Sequence, residues 1–172
     1  MRTSVRDLMI TKYVRVRAND KISHVMFKLA RDRETMVACV VDDNEKLTGI
    51  ITPKRLLKSV QMAVFGHSRD PSFEWGEALI SITASRAEDI MGPPLSVTPD
   101  HSVEDAIDLM LDKGIYELPV VDKSGKILGG INYFQIIENW AKDLRKLHPK
   151  PTATEYNHWR RTLIRSHSAH KR

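Results

Sequence analysis

Apolar positions fall along this chain in one order, and the order occurs twice. In the first half the pair Leu8-Met9 is followed by an alternating run from Val14 to Val16, then by apolar residues at Ile22, Val25, Met26 and Leu29. Spacings of three and four put those four on one helix face. A solid apolar block, Cys39-Val40-Val41, ends at Asp42, and after a polar gap comes a second block, Leu47-Thr48-Gly49-Ile50-Ile51. The second half runs through Ile90-Met91, Leu95 to Val97, the helical set Val103, Ala106, Ile107 and Met110, then Val120-Val121-Asp122 and Ile127-Leu128-Gly129-Gly130-Ile131. The offset between equivalent positions slides from 82 to 80 residues, which is two single-residue indels at loop positions. A chain that duplicates a whole unit builds a pseudo-symmetric object, and grooves between its halves come in pairs.

The pattern predicts an α/β (α+β) chain in which each copy runs strand, helix, strand, strand, helix. The gaps Asp42-Asp43-Asn44-Glu45-Lys46 and Asp122-Lys123-Ser124-Gly125-Lys126 hold turn-forming residues, so a hairpin is expected in each copy. Thr52 and Asn132 are suited to cap the helices that follow, and Pro53 suits a first helical position. The second of these helices should continue to Leu147, before Pro149 and Pro151. Gly49, Gly129 and Gly130 sit inside strand runs, where a missing side chain marks a bulge or a close approach by a ligand or another backbone. The expected division is a first motif over 1–60, a linker with helical segments over 61–84, a second motif over 85–142 and a basic tail over 143–172. Val40, Val41, Val120, Val121, Ile107 and Leu29 are the expected core.

With 172 residues, 41% of them hydrophobic, the two copies can fill a shared core, whereas one fifty-residue copy alone would be marginal. Two copies packed together are expected, not beads on a string. No apolar stretch approaches twenty residues and Arg2, Arg6 and Asp7 interrupt the start, so a soluble, cytoplasmic protein without a membrane segment is expected. The single cysteine, Cys39, lies inside an apolar strand run, which argues against a disulfide framework or a cysteine metal site. The net charge of +5 is unevenly spread: residues 144–172 carry +7, and the other 143 residues carry −2. Arguments from basicity therefore concern the tail. There, Tyr156, Trp159, Leu163 and Ile164 fit a short amphipathic helix with Arg160, Arg161 and Arg165 elsewhere on its surface. Aromatic residues among arginines suit nucleic acid, while a helix docked on its own dimer or a frayed end is the blander account. Asp42, Asp43 and Glu45 lack the glycine and distant glutamate of a calcium loop. Neither a metal-ligand spacing among the histidines nor a Ser-His-Asp arrangement stands out, so catalysis is not expected.

The ordered set, with Leu118-Pro119-Val120-Val121-Asp122 and Gly49-Ile50-Ile51-Thr52 in place, resembles a tandem pair of cystathionine-beta-synthase (CBS) domains, a Bateman module, over residues 3–140. The resemblance implies a pseudo-two-fold regulatory module with two clefts that binds AMP, ATP or S-adenosylmethionine and commonly forms disc-like dimers. In the family the ribose is held by a hydroxyl residue and an Asp spaced Thr/Ser-x-x-Asp after the third strand's glycine, since a carboxylate accepts from both ribose hydroxyls at once. Here the first copy reads Thr52-Pro53-Lys54-Arg55 and the second Asn132-Tyr133-Phe134-Gln135, so a donor and an amide replace the acid. The implied ligand-binding residues are Val14, Met36, Thr52 and Arg55 in the first copy and Leu95, Tyr116, Asn132 and Gln135 in the second. Glu117 would repel a polyphosphate if it pointed into a cleft. Lys54 and Arg55 stand at a helix start where an anion is favoured, or form an ordinary solvated basic turn. The ligand is expected in the first cleft, near Val14, Met36, Thr52 and Arg55. Apolar residues around Leu56-Leu57 and Ile136-Ile137 suggest a homodimer. Two readings result: a stand-alone module that binds an adenosine-type ligand and signals to a partner, or a degenerate, ligand-free dimerisation scaffold whose basic tail contacts an acidic partner or RNA.

Overall fold

A computed structural model of the chain describes residues 3–65 and 84–147, with the side chains of 62–65 and 144–147 left aside. The proposed short helix of the linker and the tail helix fall outside the described residues. Element order is α1 (Val5–Leu8), β1 (Val14–Arg17), α2 (Ile22–Arg31), β2 (Ala38–Val41), β3 (Leu47–Ile51), α3 (Pro53–Phe65), α4 (Ala87–Ile90), α5 (Val103–Lys113), β4 (Glu117–Val121), β5 (Ile127–Asn132) and α6 (Tyr133–Leu147). By its contacts the chain divides into Met1–Ile136, which carries all of these elements except most of α6, and Ile137–Arg172. In the second unit Lys142 and Glu138 pair along α6 at 2.9 Å.

In the first copy β1 pairs parallel to β2, and β2 pairs antiparallel to β3. In the second, β4 and β5 form the equivalent hairpin, but the expected strand over Leu95–Val97 shrinks to one parallel bridge, Val97 to Val120. Pro119 supplies the reason. Val97 donates to the Pro119 carbonyl at 3.0 Å and accepts from the Val121 amide at 2.9 Å, while the next rung of the ladder would need an N–H that proline lacks. Cys39 holds the matching place in the first copy, and there the ladder continues.

The two hairpins are copies in detail. Asp42 Oδ1 accepts the amides of Asn44 and Lys46, and Asp122 Oδ1 those of Ser124 and Lys126. The last turn position is left-handed in both, φ 64° at Glu45 and 86° at Gly125. A register shift follows Val40 in one and Val120 in the other, leaving Thr48 and Leu128 as the extra residues of matching bulges.

Each core is completed by the other copy. Val5, with Leu8 and Met9 beside it, packs among Val97, Val103, Ala106, Met110, Leu118, Val120, Ile131 and Ile136 of the second motif. Ala87 and Ile90, with Met91, pack among Val14, Val16, Val25, Ala38, Val40, Ile51 and Leu56 of the first. Backbone bonds fix this exchange: Val5 N to His101 O, Val103 N to Thr3 O, Ala87 N to Asp20 O and Ile22 N to Ser85 O, all at 2.8–3.0 Å. Val40, Val41, Val120 and Val121 are buried as expected, and Leu29 and Ile107 flank the cores half-buried. Met26 departs from expectation. It is 38% exposed, because Val25 alone fills the buried face at that turn of α2.

Candidate ligand-binding cleft

Two reciprocal bridges join the motifs. Ile50 in β3 exchanges backbone bonds with Gly92 (3.2 and 2.8 Å), and Gly130 in β5 does the same with Ile10 (2.9 Å each). Glycine is demanded here by the approach of another backbone. A Cβ on Gly49 would stand 2.7 Å from the Gly92 carbonyl, and one on Gly129 would stand 1.9 Å from that of Ile10.

Beside the Ile50–Gly92 bridge opens a cleft of about 440 Å³, with walls from both copies. The first copy contributes Met36, Val37, Ile50, Thr52, Pro53, Lys54, Arg55 and Lys58, and the second Gly92, Pro93, Leu95 and the segment from Lys113 to Glu117. Thr52 caps α3, its hydroxyl accepting the Arg55 amide at 3.4 Å. The Arg55 guanidinium reaches over Gly92 and donates to the Ile90 carbonyl at 3.3 Å. Tyr116 stands at the rim, 66% exposed, with its ring edge-on to Tyr133 at 5.7 Å. Glu117 forms part of the wall, but the residue is only 3% exposed and its carboxyl accepts the backbone amides of Met36 and Val37. Burial pushes its pKa up to about 7 against the pull of those amides, with Asp32 adding to the rise. It is therefore not the open anionic group that would repel a phosphate.

Of the residues implied by the sequence, Met36, Thr52, Arg55, Leu95 and Tyr116 meet in this one cleft, so the grouping by copy gives way to a grouping across copies. Val14 does not line it: it is buried in the first core and borders a separate surface depression with Lys12, Arg15, Lys28, Arg31 and Asp32. Asn132 and Gln135 lie at the equivalent strand–helix junction of the second copy, outside this cleft, and their side chains are hydrogen-bonded. Asn132 Oδ1 accepts the amides of Phe134 and Gln135, its Nδ2 donates to Glu34 O at 3.1 Å, and Gln135 Oε1 accepts the Asn132 amide at 2.6 Å. Lys12 pairs with Asp32 at 3.3 Å and with Glu34 at 3.5 Å, next to the Glu34 carbonyl that Asn132 reaches. Sequence reasoning left out Lys58, Lys113 and Pro93, which line the open cleft; no local pattern marks them, since their meeting depends on how the copies pack.

Cys39 is buried, and burial, with Glu117 nearby, raises its pKa, so the thiol is inert packing. Among the described residues no cluster of three or more His, Cys, Asp or Glu could hold a metal, and no helix is long and apolar enough to cross a membrane.

Paired α/β motifs that exchange their lead-in helices and share a cleft define a tandem-repeat module of one specific kind. The chain belongs to the CBS domain family, whose model matches residues 5–61 and 87–141. A CBS domain-containing protein of Thermotoga maritima shares the fold with a TM-score of 0.71 at 30% identity, covering 82% of this chain and 96% of that one. CBSX2, a CBS-pair protein from Arabidopsis thaliana whose structure is known in complex with AMP, aligns with a TM-score of 0.68 at 25% identity, over 81% of this chain and 97% of that one. An uncharacterized protein of Methanopyrus kandleri, MK0525, is 32% identical over 100 residues, 58% of this chain. The alignment spans 43% of the length of that relative.

Proposed function

We propose that this CBS pair is a regulatory module that takes an adenosine-type ligand, of the AMP, ATP or S-adenosylmethionine class, in the cleft between Thr52 and Tyr116, and passes its occupancy to a partner. The observation that carries the reading is the cleft itself: its walls come from both copies, beside a backbone bridge that joins them. A ligand spanning those walls acts on the relation between the motifs, and shifts it by as much as its affinity differs between two arrangements. AMP in the CBSX2 structure supports the ligand class. Leu57 and Ile137 are exposed while their neighbours Leu56 and Ile136 are buried, which supports a homodimer as the partner nearest to hand.

A thermal-shift panel with AMP, ADP, ATP, S-adenosylmethionine and NAD tests this. A ligand at a hundred times its Kd stabilises by about 2.7 kcal/mol, so at least one member should raise the Tm clearly. One observation favours the second reading, a ligand-free scaffold: Arg55 and Gln135 hold the places where the family's acid would grip a ribose, and Gln135 is committed to capping. A flat panel supports that scaffold.

A further inference from the structure

The open cleft is rich in cations and poor in acceptors. Lys54, Arg55 and Lys58 of α3 line it, together with Lys113 at the end of α5. Lys113 also faces Asp112 at 2.6 Å, an exposed pair of the kind that yields readily to a competing anion. Among the described residues, the one carboxyl in the lining, Glu117, is buried and turned to the Met36 and Val37 amides. The Thr52 hydroxyl accepts the Arg55 amide at 3.4 Å and keeps its proton to donate to a ligand oxyanion. A cis-diol is recognised by an acceptor that takes both of its hydroxyl protons, and among the described residues no lining side chain is disposed to do so. An oxyanion, by contrast, would meet donors from two elements, one of them a guanidinium already tethered to Ile90 O and so cheaper to order.

We infer that the cleft holds its ligand by a phosphate-bearing anionic end and leaves the ribose diol unread. This rests on the ligand-binding reading above and narrows it. The nucleoside without phosphate is a poor ligand, a cationic sulfonium is a poorer one, and the 2′-deoxy nucleotide is as good as the ribonucleotide.

Calorimetry on the full chain with ATP, 2′-deoxy-ATP, adenosine, S-adenosylmethionine and tripolyphosphate, at low and high salt, tests it. ATP and 2′-deoxy-ATP should agree within about threefold, since less than one net hydrogen bond separates them. Adenosine and S-adenosylmethionine should bind about tenfold more weakly or worse, and ATP affinity should fall with salt. Lys54→Gln with Lys58→Gln should weaken ATP by about tenfold and leave adenosine unmoved, as loss of charge-assisted bonds requires. If the double variant fails to fold, the exposed Lys54→Gln alone must still lower ATP affinity. Loss of about tenfold or more on removing the 2′-hydroxyl, or adenosine binding as tightly as ATP, overturns this inference and leaves the adenosine reading standing. Binding of tripolyphosphate with no nucleotide bound keeps the phosphate site and overturns the adenosine reading. Silence from every compound overturns both.

Discussion

Glu117 is a carboxyl buried where the two motifs meet, and its titration has a definite sign. Its pKa rises from 4.5 to about 7 in the fold, so between those values the native state holds a proton that the unfolded chain has lost. Stability therefore falls as pH rises from about 4.5 to about 7, by an amount on the order of 3 kcal/mol, and the penalty is fully present above that window. Glu117→Gln should flatten this part of the Tm–pH curve and raise the Tm at pH 8 more than at pH 5. A variant with the same slope as the parent would show that another group titrates there. Thr35 is a second case: its hydroxyl is buried and has no partner among the described residues. Thr35→Val should be neutral or should stabilise by about 1 kcal/mol in chemical denaturation, because it removes an unsatisfied group without changing shape. Neither role is legible locally. The sequence places a Glu ahead of Leu118-Pro119-Val120, but the amides it accepts, those of Met36 and Val37, lie far off in the first copy, Met36 at 81 residues' separation.

At the scale of elements the hairpins were legible to the residue, because Asp42 and Asp122 each organise a turn through short-range bonds that local sequence determines. The capping roles of Thr52 and Asn132 were equally so. The missing strand in the second copy was also written in the chain, at Pro119, but apolar alternation around Leu95 masked it. The strand glycines separate by their surroundings. A methyl group on Gly129 meets the Ile10 carbonyl carbon and oxygen and cannot be accommodated without moving backbone, whereas on Gly130 it meets the Glu117 side chain at 3.0 Å. Gly129→Ala should therefore cost more than about 3 kcal/mol, and Gly130→Ala about 1 to 2 kcal/mol, in urea denaturation. The reverse order would contradict the bridge between Ile10 and Gly130.

For the whole molecule, duplication told that two copies exist and pack together, but not that they trade their first helices. Val5 looks in sequence like the start of the first motif and belongs to the core of the second; Ala87 does the opposite. The same exchange explains why the site residues did not sort by copy. Leu95 and Tyr116 stand opposite Thr52 and Arg55 because each motif's lead-in bridges the other's last strand. Residues 1–60 expressed alone lack Ala87 and Ile90 from their core and should be largely unfolded by circular dichroism and proton NMR. A cooperative melt from that fragment would show that the exchange is dispensable. The proposed homodimer should sediment as such at micromolar concentration, and Leu57→Asp should shift it toward monomer without lowering the monomer's helicity.

One cleft, walled by both copies, is proposed to take the ligand, while at the equivalent junction of the second copy Asn132 and Gln135 are already hydrogen-bonded. Titration calorimetry of the full chain with the nucleotide that scores highest in the panel tests it directly, with stoichiometry as the readout and Thr52→Ala as the control. One ligand per chain is expected, with an affinity reduced in Thr52→Ala by about 0.5 to 1.5 kcal/mol, the net worth of one hydrogen bond. Two ligands per chain, or binding indifferent to Thr52→Ala, would contradict it.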